Sequence, residues 1–281
     1  MKELIVKAKE LFELKIIEVL LGWKYDEIIS DVRPYLFKDI SEIDELIYDR
    51  RSVHNLTNYL PNITKRYKKV GIVLKGCDGR SLTTQIVEHR INLNQIVALA
   101  VGCEGVDIDE KQAPKCDDCP TNISPIADYV FGEKKTATEP GYDQLKKIEA
   151  MTDPERWDFF AVEFDKCTRC YACRQICPLC YCELCIADQH EPKWIEASAK
   201  LSSNTMWHLT RAYHLAGRCS DCGECDRICP EDIPLRLLNN AVEKSVLEMF
   251  NVRAGTIPDE LPPLVVLAKE DPDEILGGRH E

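Results

Sequence analysis

The chain has 281 residues, 30% of them charged, a formal net charge of −12 and fifteen cysteines. That acidity excludes nucleic-acid binding, which needs a basic footprint, and no apolar run approaches the roughly 18 residues of a membrane span. Met1 to Glu10 is charged throughout and lacks the apolar core of a secretion signal, so the cysteines read as reduced thiols of a cytoplasmic, anaerobic protein.

Leu4, Ile5, Ala8, Leu11 and Phe12 recur at helical spacing, so the first twenty residues predict an amphipathic helix. A second helix is predicted from Ser41 to Tyr59, stopped by Pro61. Val70 to Lys75 reads as a buried strand, followed by Gly76-Cys77-Asp78-Gly79-Arg80 and a helix to Arg90. Gln95 to Val101 is a second buried strand, ending in Gly102-Cys103-Glu104-Gly105. Strand, helix and strand make a βαβ unit and hence a small parallel sheet. Both cysteine turns then lie at the carboxyl ends of neighbouring strands, where open α/β sheets carry their sites.

Residues 105–140, with Pro114, Pro120, Pro125 and Pro140, predict an irregular connector holding Cys116-Asp117-Asp118-Cys119. Asp153-Pro154 opens a helix with Trp157, Phe160, Ala161 and Phe164 on its apolar face. Two more helices follow: Thr205 to Ala216, striped by Leu209, Ala212, Tyr213 and Ala216, and Leu235 to Phe250, carrying Leu238, Val242, Val246, Met249 and Phe250. The fold class is therefore α+β. A small N-terminal α/β domain with a short parallel sheet spans 1–140, an α-helical domain spans 141–250, and residues 251–281 form an acidic, proline-bearing surface arm.

Two runs carry the chemistry: Cys167-Thr-Arg-Cys170-Tyr-Ala-Cys173-Arg-Gln-Ile-Cys177-Pro178 and Cys219-Ser-Asp-Cys222-Gly-Glu-Cys225-Asp-Arg-Ile-Cys229-Pro230. Both read C-x2-C-x2-C-x3-C-P, in which three thiolates bind one [4Fe–4S] cube and the fourth ligates the other. The spacing assigns Cys167, Cys170, Cys173 and Cys229 to one cluster and Cys219, Cys222, Cys225 and Cys177 to the second. Zinc needs neither the third cysteine nor the C-P ending. Lys166, Arg169, Arg174, Arg218 and Arg227 flank the runs; they either offset cluster charge, raising the potential, or form a solvated face. His208, His214, Trp194 and Trp207 read as core residues.

Seven cysteines remain. Cys77, Cys103, Cys116 and Cys119 converge if the two strand-end turns are neighbours, and predict a third [4Fe–4S] cluster, against zinc or inert buried thiols. Cys180, Cys182 and Cys185 crowd into six residues and predict metal binding one ligand short. Asp188 or His190 completes that set, or else Cys77 or Cys103 does so from the N-terminal domain; zinc is a further alternative.

The segment from Trp157 through Cys185, with Lys166-Cys167-Thr168-Arg169-Cys170-Tyr171-Ala172-Cys173 and Cys177-Pro178-Leu179-Cys180-Tyr181-Cys182-Glu183-Leu184-Cys185, resembles the beta-subunit family of coenzyme F420-dependent formate dehydrogenases and hydrogenases. It is most similar to the short relatives associated with formate dehydrogenase or heterodisulfide reductase systems. His208 to Cys219 shares the resemblance. The wide spacing of the runs resembles the helical dicluster ferredoxin component of heterodisulfide reductase and the iron–sulfur component of succinate dehydrogenase. Over 70–105 the cysteine turns resemble those of longer beta subunits, which hold a flavin and reduce F420. This chain departs from them in showing no G-x-G-x-x-G.

The resemblance implies an iron–sulfur electron-transfer subunit of a formate dehydrogenase, hydrogenase or heterodisulfide reductase complex, relaying single electrons between a catalytic subunit and a flavoprotein or ferredoxin. The alternative is a flavin-containing catalytic subunit reducing F420 or NAD, with its flavin at Arg80 and Ser81 on a helix N-terminus. The plainer reading of those two residues is a cap and a solvated charge. A redox-sensing regulator would need a basic DNA-binding element, and none is visible. No nucleophile–base pair stands out, so no catalytic residue is assigned.

Overall fold

A computed structural model describes residues 1–135, 140–263, 265, 266, 269 and 271. The chain divides into one unit of Met1–Gly141 with Gly255–Glu260 and a second built on Tyr142–Ala254.

The first unit begins with α1 (Lys2–Glu13), which buries Leu4, Ala8 and Leu11. The helix stops at Glu13 and does not fill the first twenty residues, because Lys15 adopts a left-handed φ of 54°. The apolar residues that follow switch to extended backbone as β1 (Val19–Asp26), paired antiparallel with β2 (Asp31–Phe37). This hairpin escapes the sequence because Ile16, Ile17, Leu20 and Leu21 prolong the apolar run of the helix. Ser41 to Tyr59 is not one helix either. Short 3-10 turns at Ile40–Glu45 and Leu56–Tyr59 bracket an extended stretch in which Ile47 bridges Trp23. Pro61 sits inside α2 (Leu60–Ile63) instead of ending a helix, since a first-turn residue needs no intrahelical N–H partner.

Next come β3 (Val70–Leu74), α3 (Gly76–Val87) and β4 (Ile96–Val101), the predicted βαβ unit. Both strands are buried along their whole length, as a parallel sheet covered on two faces requires. The connector adds a small ribbon of β5 (Asp107–Ile108) and β6 (Lys111–Gln112), then β7 (Tyr129–Phe131). The sheet order is β2-β1-β3-β4-β7, parallel except at the β1–β2 edge.

The second unit is helical, with α4 (Asp143–Glu149), α5 (Asp153–Asp165), α6 (Ala172–Gln175), α7 (Leu201–His214), α8 (Glu224–Arg227) and α9 (Leu235–Phe250). Thr152 and Glu155 form a capping box at the start of α5. Of the predicted apolar face of α5 only Phe164 is buried, while Trp157 is 54% exposed. On α7 half of the predicted stripe holds: Ala212 and Ala216 are buried, but Tyr213 and Leu209 face out, and Asn204, Trp207, His208 and Arg211 also face in. Likewise α9 buries Arg236, Asn239, Asn240 and Glu243 beside Val246, leaving Met249 exposed. These helices face thiols and loop carbonyls, so their inner sides carry hydrogen-bond donors. Of the predicted arm, Arg253 and Ala254 are buried, Arg253 bonding Glu243 at 3.1 Å. Its residues 264, 267–268, 270 and 272–281 lie outside the described residues.

Candidate metal centres

The two cysteine runs fold alike. Arg169 and Tyr171 in the first, and Asp221 and Gly223 in the second, hold left-handed φ of 61°, 59°, 55° and 67°. Each run then turns into a one-turn helix, α6 or α8, carrying its third cysteine. Successive right- and left-handed residues aim backbone N–H groups into a concavity, the nest that iron–sulfur sites use. Left-handed non-glycine residues cost on the order of 1 kcal/mol each, and their recurrence at matching positions marks a geometry set by the ligand loop.

The thiol of Cys167 feels the Cys229 and Cys170 thiols, and Cys173 feels Cys167, Cys229 and Cys170. Cys229 thus sits with the first run, although it closes the second. Cys219 feels Cys222, and Cys225 feels Cys222 and Cys219. Cys177, Cys219, Cys222 and Cys225 line one cavity. Burial is the first cause that pushes the Cys167, Cys173, Cys219 and Cys225 thiols up, with the neighbouring sulfurs adding to it. Such thiols are poor nucleophiles as free groups, and a bound metal would hold them deprotonated.

Donors and cations surround these sulfurs. Asn239 Nδ2 donates to Cys225 Sγ at 3.7 Å. Asn204 Nδ2 donates to the Phe164 and Cys167 carbonyls at 2.9 Å each. Arg169 is buried, not solvated, and braces its loop through Nη1 to the Ser203 carbonyl at 2.8 Å and Nη2 to the Glu196 carbonyl at 3.1 Å. Lys166, Arg174 and Arg227 pair with Glu163, Asp188 and Glu224.

Arg211 on α7 is the residue that the sequence reading missed. It is 5% exposed, its Nη2 donates to the Cys173 carbonyl at 3.2 Å, and its Nε has no hydrogen-bond partner among the described residues. Its charge acts on Cys177, Cys180, Cys225 and Cys173. The available signal is an arginine four residues after Trp207 on an inward stripe. Next to it His208 is buried and stacked on Phe164 at 4.8 Å. Burial first, then Arg211 and Arg169, push its imidazole down to about 3. Trp207 is core as expected, but His214 and Trp194 are exposed.

In the first unit the turns after β3 and β4 meet a third segment. The Cys77 thiol feels Cys103, as does that of Cys116. The Val106 N–H donates to Cys116 Sγ at 3.4 Å, and the Tyr48 hydroxyl donates to the Gly102 carbonyl at 3.3 Å. Burial pushes the Cys77 and Cys116 thiols up, and the charge of buried Lys115 offsets part of that push. Cys119 is exposed, its thiol directed at the Thr121 carbonyl at 3.7 Å.

Gly76 lets this loop lie on the start of α3, because a Cβ there would be driven into the Thr121 carbonyl oxygen. Gly76→Ala is expected to cost about 1–3 kcal/mol and to lift Cys119 away, read as a lower urea midpoint and less iron bound by the first unit.

Beneath the thiols, Lys75 Nζ bonds Asp78 at 2.9 Å and the His54 carbonyl at 2.9 Å, and lies 4.1 Å from the Trp23 ring centre. The pair is 1% and 0% exposed. Lys75→Met strands a buried carboxylate and is expected to cost about 3–5 kcal/mol, measured by urea unfolding. Arg80 and Ser81 are not a surface cap: both are buried in the second turn of α3, where Ser81 Oγ donates to the Cys77 carbonyl at 3.1 Å and accepts from Asn55 Nδ2 at 2.9 Å.

Cys180, Cys182 and Cys185 line a separate cavity with Arg174, Arg211 and Arg218. Cys180 lies against Cys177, whose hydrogen bond lowers the Cys180 thiol. Among the described residues no three His, Cys, Asp or Glu side chains close to the distances of a single ion. The thiol groupings, the twin nests and the cations between them suit cubes, whose irons take ligands at separate corners.

Among the described residues no helix is long and apolar enough to cross a membrane. Residues 163–233 match the family described as 4Fe-4S dicluster domain. The chain is 21% identical to the F420-dependent formate dehydrogenase subunit beta of Methanocaldococcus jannaschii, over an alignment of 357 residues covering 91% of this chain and 92% of that relative. It is 29% identical over 101 residues to the F420-dependent formate dehydrogenase 1 subunit beta of Methanococcus maripaludis, covering 36% of this chain and 25% of that relative. Residues 163–233 therefore carry the match to a 4Fe-4S dicluster domain, and the chain is similar along nearly its whole length to a beta subunit of F420-dependent formate dehydrogenase.

Proposed function

We propose that this chain is the iron–sulfur electron-transfer subunit of a multi-subunit oxidoreductase in a reducing cytoplasm. It passes single electrons between a catalytic subunit, of formate dehydrogenase, hydrogenase or heterodisulfide reductase type, and a flavoprotein or ferredoxin. The observation that carries this reading is the return of Cys229 to the Cys167 group while Cys177 lines the cavity of Cys219, Cys222 and Cys225. Two clusters held this way are near neighbours, as a wire requires. Cys167, Cys170, Cys173 and Cys229 hold the first, and Cys219, Cys222, Cys225 and Cys177 the second. Cys77, Cys103, Cys116 and Cys119 hold a third in the first unit, with Lys115 as its counter-cation. When bound, the clusters supply reversible one-electron storage; the chain's own residues hold, insulate and bias them.

Arg80 and Ser81, offered by the sequence for a flavin, are both buried in α3, with Ser81 bonded to the Cys77 carbonyl, so the relay is preferred over a flavin-bearing F420 or NAD reductase. The test is anaerobic purification with iron, sulfide and flavin analysis, followed by stopped-flow reduction of the chain and oxidation by a flavoprotein acceptor. The expected result is two or more cubes per chain, no flavin and one-electron oxidation. One flavin per chain with F420 reduction by the isolated chain would overturn it.

A further inference from the structure

We propose that Cys180, Cys182 and Cys185 hold a further [4Fe–4S] cluster in the helical unit, with His214 ligating its fourth iron. The inference rests on the reading above and adds a site to it. Fifteen cysteines meet eight positions in the two runs and four in the first unit, leaving three thiols for a cube that takes four ligands. The fourth iron is then open to a ligand other than cysteine.

The three cysteines line one cavity of about 220 Å³. Three other side chains in its wall can ligate: Glu183, Asp188 and His214. Asp188 is held by Arg174 at 2.8 Å. Glu183 belongs to the same short loop as the cysteines and adds a fourth negative charge on their side. His214, the last residue of α7, lines the same cavity and adds none. His190, the histidine suggested by the sequence, is not part of this wall.

Charge supports the same occupant. Transfer of a [4Fe–4S]2+ core from a thiolate-ligated donor breaks four donor iron–sulfur bonds and forms three new ones and an iron–imidazole bond; the three thiol protons pass to departing donor thiolates, and no electron is exchanged. The site is then a monoanion, and a dianion after one-electron reduction. Arg211 and Arg218 line the cavity beside Arg174, which is paired with Asp188, and their cations favour the reduced form. Cys180 adjoins Cys177, and Cys182 is exposed. The cluster thus continues the wire from the second-run cluster to the protein surface.

The test uses the full chain, reconstituted anaerobically, with iron, sulfide and zinc analysis and pulsed EPR of the reduced state. The double variant C182A/C185A is expected to lose about four irons while both dicluster signals persist. Wild type is expected to show nitrogen hyperfine coupling from a ligating imidazole, absent in His214→Ala. His214→Cys is expected to keep the four irons without that coupling, which separates a lost ligand from a misfolded helix. Unchanged iron in C182A/C185A, one zinc lost instead of iron, or nitrogen coupling that survives His214→Ala would each overturn the proposal. The dicluster reading fails separately, if Cys167→Ala and Cys219→Ala leave the iron content and spectrum unchanged.

Discussion

Cys229→Ala is expected to abolish the cluster of the first cysteine run and to leave that of its own run in place. In sequence Cys229 closes the second run, yet its side chain packs, as that of Cys167 does, against a core of Phe164, Cys173, Cys225, Ile233 and Leu235 that both runs share. Its thiol raises those of Cys167 and Cys173, while Cys225 responds to Cys222 and Cys219. The variant should therefore lose the EPR signal lost in Cys167→Ala, and retain the one lost in Cys219→Ala. The double variant Cys167→Ala with Cys229→Ala should bind no less iron than either single one, because one removed ligand already opens the cube. A shared cluster also closes the chain between Cys167 and Cys229, an effect like that of a disulfide and worth about 2–4 kcal/mol. Thermal unfolding of the holoprotein should show that loss. Coincident losses in Cys229→Ala and Cys219→Ala would mean that each run holds its own cluster.

Arg211→Gln is expected to lower the potentials of both dicluster centres together. Its guanidinium lies inside the unit, bonds the loop carbonyl of Cys173 and acts on Cys177 and Cys225, so one cation serves both ligand sets. Removing it leaves the added electron less compensated at each cluster, by on the order of 60 mV, a tenfold change in a one-electron equilibrium. Arg211→Lys keeps the charge and should stay near the wild-type potentials. Stability should split by state. In the apoprotein Nε has no partner among the described residues, so the glutamine variant costs little. In the holoprotein it removes the counter-charge of buried anions and costs more. EPR-monitored redox titration reads the potentials, and paired urea curves read the split. A shift confined to one cluster would show that the charge is not shared.

Much of this was legible because it is local. The C-x2-C-x2-C-x3-C-P spacing is a property of a dozen consecutive residues, and the uninterrupted apolar runs at Val70 and Ile96 have one economical structure, a parallel pair buried on both faces. The helix over Leu235–Phe250 follows equally from its periodicity. The β1–β2 hairpin was hidden because its apolar residues continue those of the helix before it. The true inner face of α7 was hidden because hydrophobicity marks burial against apolar atoms, and this helix is buried against sulfurs and carbonyls.

The kind of cofactor, the number of thiols and the two-part order of the chain follow from residue type and spacing alone. Which segments converge does not. The folded chain brings the loop after β4 and the loop at Cys116 to the start of α3, and it sets Arg211 between cysteines far from it in sequence. It also brings His214 into the lining of one cavity with Cys180, Cys182 and Cys185. Neighbours of this kind are fixed by packing between elements, and packing leaves no periodic trace in the chain.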